Sequence, residues 1–167
     1  MNYWITSDTH FGQDDQALKF DRPNNFSVKI FKGLFNVLKA DDVLIHLGDM
    51  CYNNDIEYHV QLMRLPGKKW LCKGNHDKKS YSWYLNHGWD FVGENIILDI
   101  YGAQILFSHM PVKFEKPINI NVHGHLHNSD YRKHEPWVCD ILTDKHKLIA
   151  LEYTKYQPIK LKTLIEG

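Results

Sequence analysis

Apolar residues fall in short runs along this chain, and most runs end in a small cluster of polar residues. Tyr3-Trp4-Ile5-Thr6-Ser7 is aromatic and β-branched and reads as a first strand. Residues 8–25 read as a long loop, with Gly12, Pro23 and a polar stretch from Gln13 to Gln16. Over 28–39 the residues Val28, Ile30, Phe31, Leu34, Phe35 and Leu38 recur at helical spacing, with Ser27 at the N-cap position. Residues 42–47 read as a second strand and 54–65 as a weaker helix, broken by Pro66-Gly67. Residues 69–73 form a third strand by the same reading, and 80–87 a short helix.

The rhythm then changes. Two strands over 96–100 and 104–107 flank Tyr101-Gly102, a hairpin signal. Residues 118–122 and 137–141 read as strands, 148–153 as strand or the start of a helix, and 159–165 as a closing helix after Pro158. Alternating strand and helix in the first half argues for a parallel sheet. The second half is rich in strands. Two stacked mixed β-sheets flanked by helices, an α/β/β/α sandwich, satisfy both halves. There is no repeat, linker or low-complexity segment, so residues 1–167 form a single domain, long enough for a sizeable core.

Charge excludes some functions. Lys plus Arg equals Asp plus Glu at 20 each, which gives no footprint for extended nucleic-acid binding or for a membrane surface. The first residues lack the basic and apolar regions of a signal peptide, and no apolar run has the length of a membrane span. The expected location is the cytoplasm. Cys51, Cys72 and Cys139 are odd in number and widely spaced, and read as small hydrophobes.

The chain has eleven histidines, and six of them fall in short blocks behind the apolar runs. The blocks are Asp8-Thr9-His10, Gly48-Asp49, Gly74-Asn75-His76-Asp77, Ser108-His109 and His123-Gly124-His125-Leu126-His127. Strand ends converge in space, so ligands distant in sequence can meet. A carboxylate with imidazoles suits zinc, manganese, iron or nickel. Asp49 has two oxygens and can bridge two ions. Asn75 can ligate without adding charge, and His76 can face the same pocket as a proton donor or acceptor. Taken singly, Asp8-x-His10 reads more readily as a loop cap than as a metal site, and Asp49 more readily as a helix N-cap or Asx-turn. Three imidazoles in five residues behind an apolar strand are the strongest local signal, since buried unpaired imidazoles are costly.

In their order, the five blocks resemble the calcineurin-like metallophosphoesterase superfamily, most of all its small single-domain bacterial and phage members. The opening Ser7-Asp8-Thr9-His10-Phe11-Gly12, Arg22-Pro23 and Tyr156-Gln157-Pro158 extend the likeness over nearly the whole chain. The resemblance implies that Asp8, His10, Asp49 and His127 hold one divalent metal ion. It implies that Asp49, Asn75, His109 and His125 hold a second, with Asp49 bridging. It makes His76 the non-ligand histidine that contacts phosphate and assists the leaving group, and a bridging water or hydroxide the nucleophile. Manganese leads the expected metals, ahead of iron, nickel or zinc. Where many members carry a second Asp that supports the catalytic histidine, this chain has Tyr52, and Asp77 or Asp55 stand nearby. Gln13 replaces a histidine of close relatives. His123 reads as structural rather than as a ligand.

The expected substrate is a small phosphate ester or nucleotide. Arg22 is a candidate bidentate phosphate contact, and Lys73, Lys78, Lys79 and Lys113 raise the local potential. Trp83, Tyr84 and Trp89 read as core more than as a platform for a base. The chain has no room for a large cap, which favours a diester with two substituents. The competing readings are a phosphomonoesterase or nucleotidase on the same metals, a nuclease, and a non-catalytic metal-binding scaffold.

Overall fold

The computed structural model describes residues 1–13, 20–52 and 55–166. Part of the expected loop, residues 14–19, and the expected helix start at Asn54 lie outside them. The order is β1 (Tyr3–Thr6), α1 (Phe26–Val37), β2 (Val43–His46), α2 (Asp55–Met63), β3 (Lys68–Cys72), α3 (Tyr81–Asn86) and β4 (Phe91–Gly93). Then come β5 (Asn95–Ile100), β6 (Ala103–Ser108), β7 (Ile120–His123), α4 (Tyr131–His134) and a 3₁₀ turn (Pro136–Asp140). The chain closes with β8 (His146–Leu148), β9 (Ile159–Lys160) and α5 (Leu161–Glu166).

The strands form two mixed sheets flanked by helices. One has the order β4-β3-β2-β1-β9, parallel except for β9. The other has the order β5-β6-β7-β8, with β5 antiparallel to β6 and the rest parallel. Ile5, Val43, Ile45 and Cys72 from the first sheet share a buried cluster with Ile96, Ile105, Phe107 and Val122 from the second, so the sheets stack face to face. Leu44 and Leu71 belong to the other cluster, with Ile30 and Leu34 of α1, Leu62 of α2 and Tyr84 of α3. Every residue of β2 is buried, as expected of a central parallel strand covered on both faces.

Register places the blocks. Thr6 lies opposite His46, and His46 opposite Leu71, so β1, β2 and β3 end side by side. Ser108 lies opposite His123 in the second sheet. All five strands therefore release their polar blocks at one edge of the sandwich, where ligands gather in open α/β sheets.

Several local expectations are corrected. Residues 137–141 are not a strand but the 3₁₀ turn Pro136–Asp140, of which Val138 is the buried residue. Pro136 opens it with a fixed φ and no N–H to give to a ladder. Helix α1 starts at Phe26, not after Ser27, because buried Phe26 anchors the first turn and Asn25 occupies the cap. The closing helix is preceded by the two-residue strand β9. Strand β4 went unpredicted, since three residues carry no readable alternation. The hairpin expectation holds: Tyr101 and Gly102 both have positive φ, the requirement of a type I′ turn. Among the described residues no helix is long and apolar enough to cross a membrane.

Candidate metal centre

The blocks are held in an unusual backbone conformation. Asp8 (φ 49°), His10 (45°), Asp49 (54°), His125 (70°) and His127 (50°) all lie in the left-handed region, and none is glycine. Such residues cost of order 1 kcal/mol or more each and persist where surrounding structure over-determines them. Here the neighbouring blocks supply that restraint. Asp8 N–H donates to Gly48 O at 2.9 Å and His10 N–H to Asp49 O at 3.0 Å. Gly124 N–H donates to His109 O at 2.9 Å, and His125 N–H to Asp8 Oδ2 at 2.9 Å. Glycine is required at two contacts. A Cβ on Gly74 would overlap the Asp49 carboxylate, and one on Gly124 would overlap Ser7 Oγ and the Asp8 carboxylate.

The side chains converge as two groups. Asp8, His10 and His127 place one ligand atom each within 4.8 Å of one another, and so do Asp49, His109 and His125. In the first group His127 Nε2 lies 3.6 Å and His10 Nε2 3.9 Å from Asp8 Oδ1. In the second His109 Nε2 lies 3.4 Å from Asp49 Oδ2, 3.2 Å from His125 Nδ1 and 2.9 Å from Asn75 Oδ1. Asp49 joins the groups, since its Oδ2 is also 3.7 Å from His10 Nε2. All seven expected ligands are therefore in one place, and Asp49 stands between the halves.

These residues fit a cation better than they fit each other. Asp8 Oδ1 and both ring nitrogens of His10 are buried without a hydrogen-bond partner among the described residues, a costly state for polar atoms that a ligated ion would relieve. Burial pushes the Asp49 carboxyl up to about 6 and the His10 imidazole down to about 3. Burial also raises the Asp8 carboxyl, but the imidazoles of His127, His109 and His10 outweigh it and hold the group below the usual range. The donor set mixes hard oxygens with imidazoles, as suits first-row divalent ions.

His76 faces the same space with its side chain 38% exposed. Its N–H donates to Asp49 Oδ1 at 2.8 Å, and its Nε2 lies 3.9 Å from Asp49 Oδ2. The ring of Tyr52 is 5.6 Å from its ring. Asp77 is committed elsewhere: its carboxylate accepts from the N–H groups of Asp49, Met50 and Gly74, clamping the second block to the third. His123 stands apart from both groups, buried with Nδ1 3.0 Å from Gly124 O. His46 lies behind them, where Nδ1 accepts from Gly48 N–H and Nε2 is 3.0 Å from Thr9 Oγ1. Cys51, Asp55 and His59 form a third grouping. There His59 Nδ1 is taken by the Asp55 carbonyl at 2.6 Å.

Arg22 is not where a phosphate contact would be. It is 3% exposed and its guanidinium donates to Glu152 Oε1 at 2.7 Å, Asp8 O at 2.8 Å and Thr9 O at 3.3 Å. The arginine braces the first block from behind. None of the four expected lysines lines the cleft over the centre, and Lys73 Nζ donates to Lys79 O and sits over the rings of Tyr81 and Tyr84. That cleft, of about 910 Å³, is lined by His76, by His10 and His127 of one group and Asp49 and His125 of the other, by Phe20 and Tyr52, and by the acids Asp21, Asp130 and Glu135. None of its described lining residues is Lys or Arg. Tyr84 and Trp89 are buried core residues, as expected. Sequence reasoning missed Glu135 and Glu152, which back His125 and His127 without belonging to any block.

The model of the calcineurin-like phosphoesterase family matches residues 1–159. Among solved structures the fold is similar to an Aquifex aeolicus protein of unknown function, AQ665, at 28% identity and TM-score 0.79, covering 99% of this chain and 98% of that one. It is also similar to an archaeal phosphodiesterase at 17% identity and TM-score 0.52, covering 90% and 82%. A third likeness is to the Pseudomonas putida nuclease MPE, at 18% identity and TM-score 0.51, covering 75% and 61%. No curated protein matches the chain.

Proposed function

The chain belongs to the calcineurin-like phosphoesterase family, and from that premise we propose that it hydrolyses phosphate esters at a two-metal centre, with small phosphodiesters as its substrates. The observation that carries the reading is the pair of ligand groups joined through Asp49 at the floor of an open cleft. Asp8, His10, Asp49 and His127 would hold one ion, and Asp49, Asn75, His109 and His125 the other. Manganese fits the mixed donor set, as do iron, nickel and zinc. Bound there, divalent cations would lower the pKa of a nucleophilic water and neutralise developing charge on the phosphoryl oxygens.

The chain's own residues do the rest. His76 is the exposed imidazole beside Asp49 and protonates the departing alkoxide. Its backbone N–H fixes the Asp49 carboxylate, so proton donor and bridging ligand move as one unit. Phe20 and Tyr52 both line the cleft and offer aromatic surface to a substituent. The lining supports a diester over a monoester. A monoester dianion brings a second negative charge with no described Lys or Arg to meet it, while Asp21, Asp130 and Glu135 oppose it. The same acids oppose a long polyanion such as DNA or RNA. The three free cysteines, two of them buried, fit a reducing cytoplasm.

The test is turnover of a chromogenic aryl phosphodiester against the matching monoester, with manganese, nickel and zinc in turn. The reading expects metal-dependent hydrolysis with the diester faster. Faster monoester turnover would reassign the substrate class, and no hydrolysis with any metal would remove the enzyme reading.

A further inference from the structure

Resting on that metal-centre reading, we infer that Glu152 and Glu135 are positioning residues, each orienting one histidine of the last block and tuning one half of the centre. His127 turns Nε2 toward Asp8 and Nδ1 toward Glu152 Oε1, 3.2 Å away. An ionised carboxylate only accepts, so the Nδ1 proton goes to Glu152 and the Nε2 lone pair is left facing Asp8 and His10. Arg22 Nη2 also lies 3.3 Å from His127 Nδ1, but its shorter bond goes to Asp8 O at 2.8 Å, so Glu152 Oε1, at 3.2 Å, is the partner that takes the Nδ1 proton. Phe20 stacks on the His127 ring at 3.9 Å and 10°, which fixes its plane.

His125 is turned the other way round. Its Nε2 lies 2.8 Å from Glu135 Oε2, which leaves Nδ1 facing His109 and the second group. Two histidines two residues apart therefore use opposite ring nitrogens, and a different glutamate sets each choice. His109 completes the pattern with a neutral acceptor, since its Nδ1 lies 2.8 Å from Leu47 O. A carboxylate behind a ligating imidazole fixes the ring and raises its basicity, and losing one costs about 10–100-fold in metal affinity or activity. Glu135 sits at the end of α4 and Glu152 in the turns after β8. Segments outside the five blocks thus control metal affinity.

The experiment is a stepwise calorimetric titration of chelator-stripped protein with Mn²⁺, for wild type, Glu152→Gln and Glu135→Gln, with the metal-free Tm measured alongside. Wild type binds two ions. Each variant weakens one step by about tenfold or more and spares the other. In a His10→Ala background, which removes a ligand from the first group, Glu135→Gln still weakens the remaining ion and Glu152→Gln does not. Glu152→Gln leaves the buried Arg22 without its ionic partner and can cost stability, whereas Glu135 is partly exposed and its variant folds. A lower metal-free Tm with both binding steps unchanged would make the glutamates merely structural and overturn the inference. A change in KM alone for Glu135→Gln would make it a substrate contact and do the same. Wild type that binds no ion would instead defeat the metal-centre reading itself.

Discussion

Replacing Asp49 by asparagine should stabilise the metal-free protein while crippling the centre. The Asp49 carboxyl is buried and raised from 3.8 to about 6, by burial first. The unfolded side chain ionises near the ordinary value and the folded one about two pH units later. Below 3.8 both are neutral and ionisation costs the fold nothing. The cost grows between 3.8 and 6 and is complete above 6, where about 1.4 kcal/mol per pH unit gives about 3 kcal/mol. Asparagine keeps the shape and the oxygen that accepts from His76 N–H, and it carries no charge. In chelator at pH 8 the Asp49→Asn variant should therefore melt higher, by about 6–12 °C for a chain of this size. At pH 5 the gain should fall to about half, since the wild-type group is then mostly protonated. With manganese the order should invert, because two ions, each at a hundredfold excess over its Kd, add about 2.7 kcal/mol apiece to wild type alone, which together exceeds the variant's gain. Thermal unfolding with chelator and with manganese, at pH 8 and pH 5, reads all four states. A variant that melts no higher than wild type in chelator at pH 8, or a gain independent of pH, would refute the reasoning.

Metal affinity itself should fall about tenfold or more per pH unit below pH 6, because a cation must displace the proton on Asp49 and any on His109, whose pKa the Asp8 and Asp49 carboxylates raise against burial. Manganese titrations from pH 5 to 8 check this, and flat affinity would contradict it. His76→Ala should keep both ions and lose about 10²–10⁴-fold in turnover of an alkyl diester, but far less with a nitrophenyl leaving group that needs no proton. Equal losses on the two substrates would remove His76 as the acid. Gly74→Ala should drive a methyl group against the Asp49 carboxylate, costing about 1–3 kcal/mol and weakening manganese binding. An unchanged Tm would show that the loop yields without cost.

The parts of this centre legible in sequence are those that a strand end exposes. Asp8, Asp49, Asn75, His109 and the final histidines each follow a buried run, so the hydrophobic pattern points at them before any contact is known. The parts that stayed hidden depend on tertiary contact alone. Glu135 and Glu152 meet His125 and His127 across 10 and 25 positions of chain, in segments without periodicity. Arg22 is conspicuous in sequence, yet a buried brace and a phosphate contact share one letter, and only its bond to Glu152 tells them apart. Residues 137–141 are apolar enough for a strand, and the fixed φ of Pro136 decides otherwise. Strained backbone at five of the seven ligands leaves no sequence trace, because Asp and His tolerate the left-handed region without announcing it.

The central claim is that two cations share Asp49. Ion counting on chelator-stripped protein titrated with manganese tests it most directly, wild type beside Asp49→Asn. The account predicts two ions per wild-type chain and weakening of both in the variant. A single ion in wild type, or a variant that keeps two ions at wild-type affinity, would contradict it.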